Sequence, residues 1–144
     1  LGTITRLTIL VPQRPTAVNV AFFGCPDFES VQRTFQLARG RLGEVLSAVE
    51  FADRAAIDFV LEREAGTGVR DPLDSKHPFY VLIETSGSDE DHDQEKLHRF
   101  LHAAMEGEHG TAAAVHDGVV AQDGVQAKAI WRLREGISDA MTAA

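Results

Sequence analysis

Phe79-Tyr80-Val81-Leu82-Ile83-Glu84 is a run of strand formers, and it gives way at once to Thr85-Ser86-Gly87-Ser88 and the acidic run Asp89-Glu90-Asp91. Aromatic and β-branched side chains suit a pleated, buried surface, so the first part predicts a strand. The hydroxyls and carboxylates then stand where the free amides of a helix's first turn need acceptors and negative charge. The helix they open is expected to run to about Met105 and to bury Leu97, Leu101 and Ala104.

The same alternation of strand and capped helix extends in both directions. Upstream, Val18, Val20 and Phe22 share one face of a strand expected over Ala17 to Phe23, which Gly24-Cys25-Pro26 ends. Asp27 is placed to cap a helix that carries Phe28, Val31, Phe35 and Ala38 at helical spacing and stops near Gly40. Leu42 to Phe51 predicts a strand facing Val45, Val49 and Phe51 one way. Asp53 to Glu64 returns to helical period through Ala55, Ala56, Phe59 and Val60. Thr5 to Val11 alternates Leu7, Ile9 and Val11 with Arg6 and Thr8 and predicts an opening strand that Pro12 and Pro15 stop. Ala65 to Pro78, with Gly66, Gly68 and Pro72, reads as a long exposed loop. Thr111 to Val120 predicts a weaker strand, and Asp123 a cap for a final helix through Ala140. An opening hairpin followed by strand-then-helix units predicts an α+β fold, a mostly antiparallel sheet with helices over one face. A ferredoxin-like sandwich is its most economical version. No internal repeat or linker divides residues 1–144, so one domain is expected.

Composition narrows the function classes. The 144 residues are 44% hydrophobic, enough for a real core, and their net charge of −8 runs against the basic stripe of a nucleic-acid binder. One cysteine, Cys25, leaves neither an intrachain disulfide nor a thiolate cluster for metal. No apolar run nears the roughly 20 residues that cross a bilayer. The opening Leu1-Gly2-Thr3 suggests a processed chain or an excised piece.

Each candidate site has a plainer reading beside it. His98 and His102 stand four residues apart near Glu95 and Glu106, a spacing that suits a metal but equally suits a solvated helix face, the expected outcome. Cys25 needs a base to become a reactive thiolate, and its acidic neighbours oppose ionisation, so a turn cysteine is expected. Asp89 to Asp93 lacks the central glycine and distal glutamate of a calcium loop, and capping explains its charges. In the final helix, Ile130, Leu133, Ile137 and Met141 form a core stripe, and Trp131, Arg134 and Ser138 a neighbouring one. A guanidinium with a hydroxyl one turn away can bind a carboxylate, although spacing alone favours an ordinary salt bridge. There is no glycine-rich phosphate loop, nucleophile elbow or Ser/His/Asp arrangement.

Longer words add a resemblance. Leu1-Gly2 with Ile4-Thr5-Arg6-Leu7-Thr8-Ile9-Leu10, then Ala17-Val18-Asn19-Val20-Ala21-Phe22-Phe23-Gly24-Cys25-Pro26, and Leu42-Gly43-Glu44-Val45-Leu46-Ser47-Ala48-Val49-Glu50-Phe51 are similar to segments of FAD-linked oxidases and dehydrogenases. Pro78-Phe79-Tyr80-Val81-Leu82-Ile83-Glu84-Thr85-Ser86-Gly87-Ser88 and Trp131-Arg132-Leu133-Arg134-Glu135 extend the likeness over nearly the whole chain. Together they resemble the C-terminal substrate, or cap, domain of the D-2-hydroxyacid dehydrogenases. The branch that oxidises D-2-hydroxyglutarate to 2-oxoglutarate is nearer than the D-lactate branch.

The resemblance implies a fragment that positions a small 2-hydroxy acid against FAD held mainly by the preceding flavin-binding domain of the same polypeptide, and that is inactive alone. The first run then closes that preceding domain. Arg134 falls on the family's substrate-carboxylate arginine and Ser138 on a position usually held by Thr. No catalytic residue falls in this chain, since the Glu-His-Gly base motif and the His-rich metal motif occur farther downstream. A divalent metal would belong to the full-length enzyme, with none expected here. Arg134 is accordingly expected to project onto a solvent-accessible surface facing the flavin domain, without an ion pair inside this one. The resemblance also implies a mitochondrial location in eukaryotes and a cytoplasmic one in bacteria. Some relatives carry an actin-interacting label, and no residue pattern here bears on that partner. The alternative is a stand-alone α+β carboxylate-binding or protein-interaction module without flavin chemistry.

Overall fold

The computed structural model describes residues 2–11, 13–107 and 111–142. Its elements follow the order β1 (Ala17–Cys25), α1 (Phe28–Arg41), β2 (Leu46–Asp53), α2 (Arg54–Arg63), β3 (Phe79–Gly87), α3 (Glu90–Glu106), β4 (Asp117–Val120) and α4 (Gly124–Thr142). The sheet order is β2-β3-β1-β4 with every neighbouring pair antiparallel. This is the ferredoxin-like α+β arrangement, two split strand–helix–strand units interleaved in one sheet. An aspartate starts each helix. Asp27 accepts from the Ser30 amide at 2.7 Å, Asp53 from Ala56 at 2.8 Å, Asp89 from His92 at 3.0 Å, and Asp123 from Val125 and Gln126 at 2.8 Å.

Helices cover both faces of the sheet, where one face was expected. β1 and β3 are apolar at successive positions, so both of their faces need cover. On one face Ala21, Phe23, Val81 and Ile83 meet Val31 and Ala38 of α1 and Leu97, Phe100 and Ala104 of α3. Phe23 and Phe100 pack edge to face, centroids 5.9 Å apart. On the other, Val20, Phe22, Tyr80 and Leu82 meet Ile57 of α2 and Ile130 of α4, and Phe22 stacks on Tyr80 at 5.3 Å.

Several expectations are corrected. Thr5 to Val11 forms no strand and exposes Leu7, Ile9 and Val11; β1 already has β3 and β4 as neighbours, so the opening hairpin does not form. Pro12 and Leu1 lie outside the described residues. Leu42 closes α1, its amide bonded to the Ala38 carbonyl, so the second strand starts only at Leu46. Phe51 stays exposed because β2 is an edge strand. The strand expected from Thr111 shrinks to β4, since the Ala114 and Val115 amides turn back to the Ala104 carbonyl. The buried stripe of α1 is Ser30, Val31, Thr34 and Ala38, and Phe28 instead packs on Phe51 and Phe79 at the sheet's end, while Phe35 is exposed. In α2 the buried residues are Ile57 and Val60; in α4, Ala140 replaces Met141.

Candidate functional site

α4 crosses its face of the sheet from one edge to the other. Ala127, like Val119 of β4 and Ala121, packs against the central cluster that Ile130 enters. Trp131 Nε1 then donates to Glu84 Oε2 of β3 at 2.8 Å, and one turn later Arg134 Nη2 lies 3.0 Å from Glu50 Oε2 of edge strand β2. Strand alternation puts both acids under this helix. Glu50 pairs in register with Leu82 and Glu84 with Ala48, so the two carboxylates are diagonal neighbours on adjacent strands. Ser47 Oγ donates to the second oxygen of Glu84 at 2.7 Å.

The ion pair corrects the expectation that Arg134 is left unpaired inside this domain. The helix meets a sheet face bearing two acids, and Arg134 has the reach to find one. Yet the pair sits at an edge: its side chains are 38% and 34% exposed, and among the described residues it is the only ion pair of Arg134. A guanidinium offers N–H donors in a planar fork, so those turned from Glu50 can still meet a carboxylate. Ser138, on the same stripe, is exposed one turn farther on, where its carbonyl accepts from the Thr142 hydroxyl.

Other sequence candidates fall elsewhere. His98 and His102 are exposed on α3, and His102 Nδ1 lies 3.1 Å from Glu106. Among the described residues no three His, Cys, Asp or Glu side chains converge as metal ligands. Cys25 is the last residue of β1 rather than part of a turn. It is buried, touches Thr34 Oγ1 at 3.8 Å, and burial pushes its thiol up to about 11. Asp89 caps α3, as its charge suggested, but the hydroxyls expected to help do not, since Thr85 and Ser86 lie in β3; Asp93 is buried against Gly87 with His92 Nδ1 at 3.1 Å. Each helix N-terminus already carries an aspartate carboxylate on its first-turn amides, so none presents a bare set of amides to a pyrophosphate.

Sequence reasoning missed a second polar cluster at the far end of the same face. Arg54 binds Asp58 and the Tyr80 hydroxyl and lies 3.0 Å from Asp71, and Tyr80 itself donates to Asp71 at 3.1 Å. His77 Nε2 is 3.4 Å from Asp117, which also accepts from Ser75 at 3.1 Å. These contacts pin the segment expected to be an exposed loop and bury Leu73 and His77. The His77 ring fits only because residue 24 is glycine; a Cβ there would lie 2.2 Å from the imidazole.

The cluster makes a pH prediction. Burial alone would raise the Asp117 carboxyl, but bonds from His77, Ser75 and the Gly118 amide hold it below the ordinary range; Arg54 does the same for Asp58, and the Ser30 amide for Asp27. Groups depressed in the folded state add stability that is present above their unfolded pKa and lost as pH falls through the folded one. The urea midpoint should hold steady from neutrality to about pH 5 and fall below about pH 4. Asp117→Asn should flatten part of that fall, and a midpoint that rises on acidification would contradict the assignment.

Comparison with known proteins places these observations in a wider set. Residues 14–144 match the family model described as FAD linked oxidases, C-terminal domain. The chain is 45% identical over 142 residues to a mitochondrial D-2-hydroxyglutarate dehydrogenase of Danio rerio, covering 99% of this chain and 25% of that protein. The mitochondrial D-2-hydroxyglutarate dehydrogenase of Arabidopsis thaliana is 45% identical over 141 residues, 98% and 24% of the two chains. A D-2-hydroxyglutarate–pyruvate transhydrogenase of Saccharomyces cerevisiae is 36% identical over 140 residues, 97% and 27%. The chain thus spans about a quarter of the length of the curated relatives it matches.

Proposed function

This chain belongs to the family of FAD linked oxidase C-terminal domains, and from that premise we propose that residues 1–144 are the substrate-binding domain of a longer FAD-dependent dehydrogenase that oxidises D-2-hydroxyglutarate to 2-oxoglutarate. The D. rerio, A. thaliana and S. cerevisiae relatives are all named for that hydroxy acid, while a relative from Schizosaccharomyces pombe is named a putative D-lactate dehydrogenase. The observation that carries the reading is Arg134: a partly exposed guanidinium at a sheet edge, anchored on one side by Glu50 and with donors to spare. It binds a substrate carboxylate, and Ser138 supplies a further donor from the next turn. The exposed side chains of Ile4, Leu7, Ile9, Leu10 and Val11 support a flanking domain of the same polypeptide as their cover.

In this division of labour the flavin, when bound by the rest of the protein, takes the two electrons of the oxidation, and the base and any divalent metal lie there too. What this chain does is bind and orient. A fixed carboxylate holds the carbinol carbon in one place, and removing that rotational and translational freedom is a large share of the barrier in reactions between two bound partners. In a eukaryotic cell the place of the protein is the mitochondrion, and in a bacterium the cytoplasm.

Steady-state oxidation of D-2-hydroxyglutarate and D-lactate by the full-length polypeptide, followed with a reducible dye, tests the assignment. Turnover of D-2-hydroxyglutarate at the higher kcat/KM is expected. No oxidation of either acid would leave the stand-alone binding module as the better reading.

A further inference from the structure

We infer that Glu50 is a positioning residue, whose task is to aim Arg134 at the substrate carboxylate; the inference rests on the proposed role of Arg134. An arginine side chain has many rotamers, and one that must meet a carboxylate through two parallel N–H groups loses affinity for every orientation it samples outside that geometry. Glu50 lies on a sheet strand whose backbone pairs in register with β3, so its carboxylate starts from a fixed platform. It reaches Arg134 Nη2 at 3.0 Å and ties down that corner of the guanidinium.

A second contact fixes the helix itself. Trp131, one turn before Arg134, donates to Glu84 at 2.8 Å, and Ser47 holds the other oxygen of Glu84 at 2.7 Å. Positions 131 and 134 lie on one side of α4, as i, i+3 pairs do, and Glu84 and Glu50 are diagonal neighbours on β3 and β2. Two contacts with this spacing set the rotation of α4 about its axis as well as its height over the sheet, and so fix where the Arg134 side chain leaves the helix.

Stability is a weak reason for the Glu50–Arg134 contact. Both side chains are more than a third exposed, where ion pairs contribute little. Geometry is the stronger reason.

A double-mutant cycle in the full-length enzyme tests this, with kcat/KM for D-2-hydroxyglutarate and a thermal melt recorded for each variant. Glu50→Ala is expected to lower kcat/KM about tenfold, mostly through KM, while moving the melt little. Glu50→Gln, which keeps an acceptor oxygen at the same reach, is expected to recover most of the loss. In an Arg134→Ala background, Glu50→Ala should cost nothing more. An unchanged kcat/KM in Glu50→Ala beside a clear loss in Arg134→Ala overturns the inference and leaves the role of Arg134 standing. Full additivity of the two losses overturns it as well. If Arg134→Ala itself retains full kcat/KM, the role of Arg134 fails and this inference with it.

Discussion

Arg134→Ala in the full-length enzyme is expected to lower kcat/KM for D-2-hydroxyglutarate by roughly ten- to a hundredfold, the kinetic equivalent of losing one charge-assisted carboxylate contact. Arg134→Lys should recover only part of this, because an ammonium is a point charge and cannot present two parallel donors. The melt is the control. Since both side chains of the pair with Glu50 are more than a third exposed, truncation should change folding stability by less than about 1 kcal/mol. A sharp fall in melting temperature with unchanged kinetics would make Arg134 a structural residue that ties α4 to β2 and nothing more.

Expressed by itself, the 144-residue chain is expected to fold, yet neither to retain FAD nor to oxidise a 2-hydroxy acid. Folding follows from a core on both faces of the sheet, since a chain of this size buries about two thirds of its surface. The expectation for flavin rests on the four helix N-termini, where an aspartate carboxylate already stands against the first-turn amides and would repel a pyrophosphate. Gel filtration after incubation with FAD, then a visible spectrum and a dye-reduction assay, checks both statements. A stoichiometric yellow complex that turns over substrate would contradict them.

The central strands and the capped helices were legible because each carries a local signal. β3 is a short apolar run that ends in hydroxyls, and α1 to α4 each begin at an aspartate whose carboxylate meets the amides of the first turn. Thr5 to Val11 shows where that logic stops. Its alternation says that the segment suits a sheet, but period alone does not say which strand it joins, and β1, the strand it leads into, already has β3 and β4 on its two sides. The cover on the second face was also present in the sequence, in the successive apolar residues of β1 and β3, though the strand-then-helix rhythm suggested a single helical layer.

The site divides in the same way. Arg134 and Trp131 were legible as a stripe beside the core of α4, because helical neighbours are close in sequence. Glu50 and Glu84 were not, because they reach the stripe through strand register and crossover order, which no local spacing encodes. The cluster of Arg54, Asp71, Tyr80, His77 and Asp117 was hidden for the same reason: it joins α2, the 65–78 segment, β3 and β4.

On the proposed reading, Arg134 recognises a carboxylate of the substrate. The most direct measurement of it compares wild type with Arg134→Ala, both full-length, on D-2-hydroxyglutarate and on its two monoamides, in which one carboxylate or the other is replaced. The penalty of Arg134→Ala is expected nearly to vanish for one monoamide and to persist for the other, since removing either partner of a contact removes the same free energy. An equal penalty on the acid and on both monoamides would contradict it.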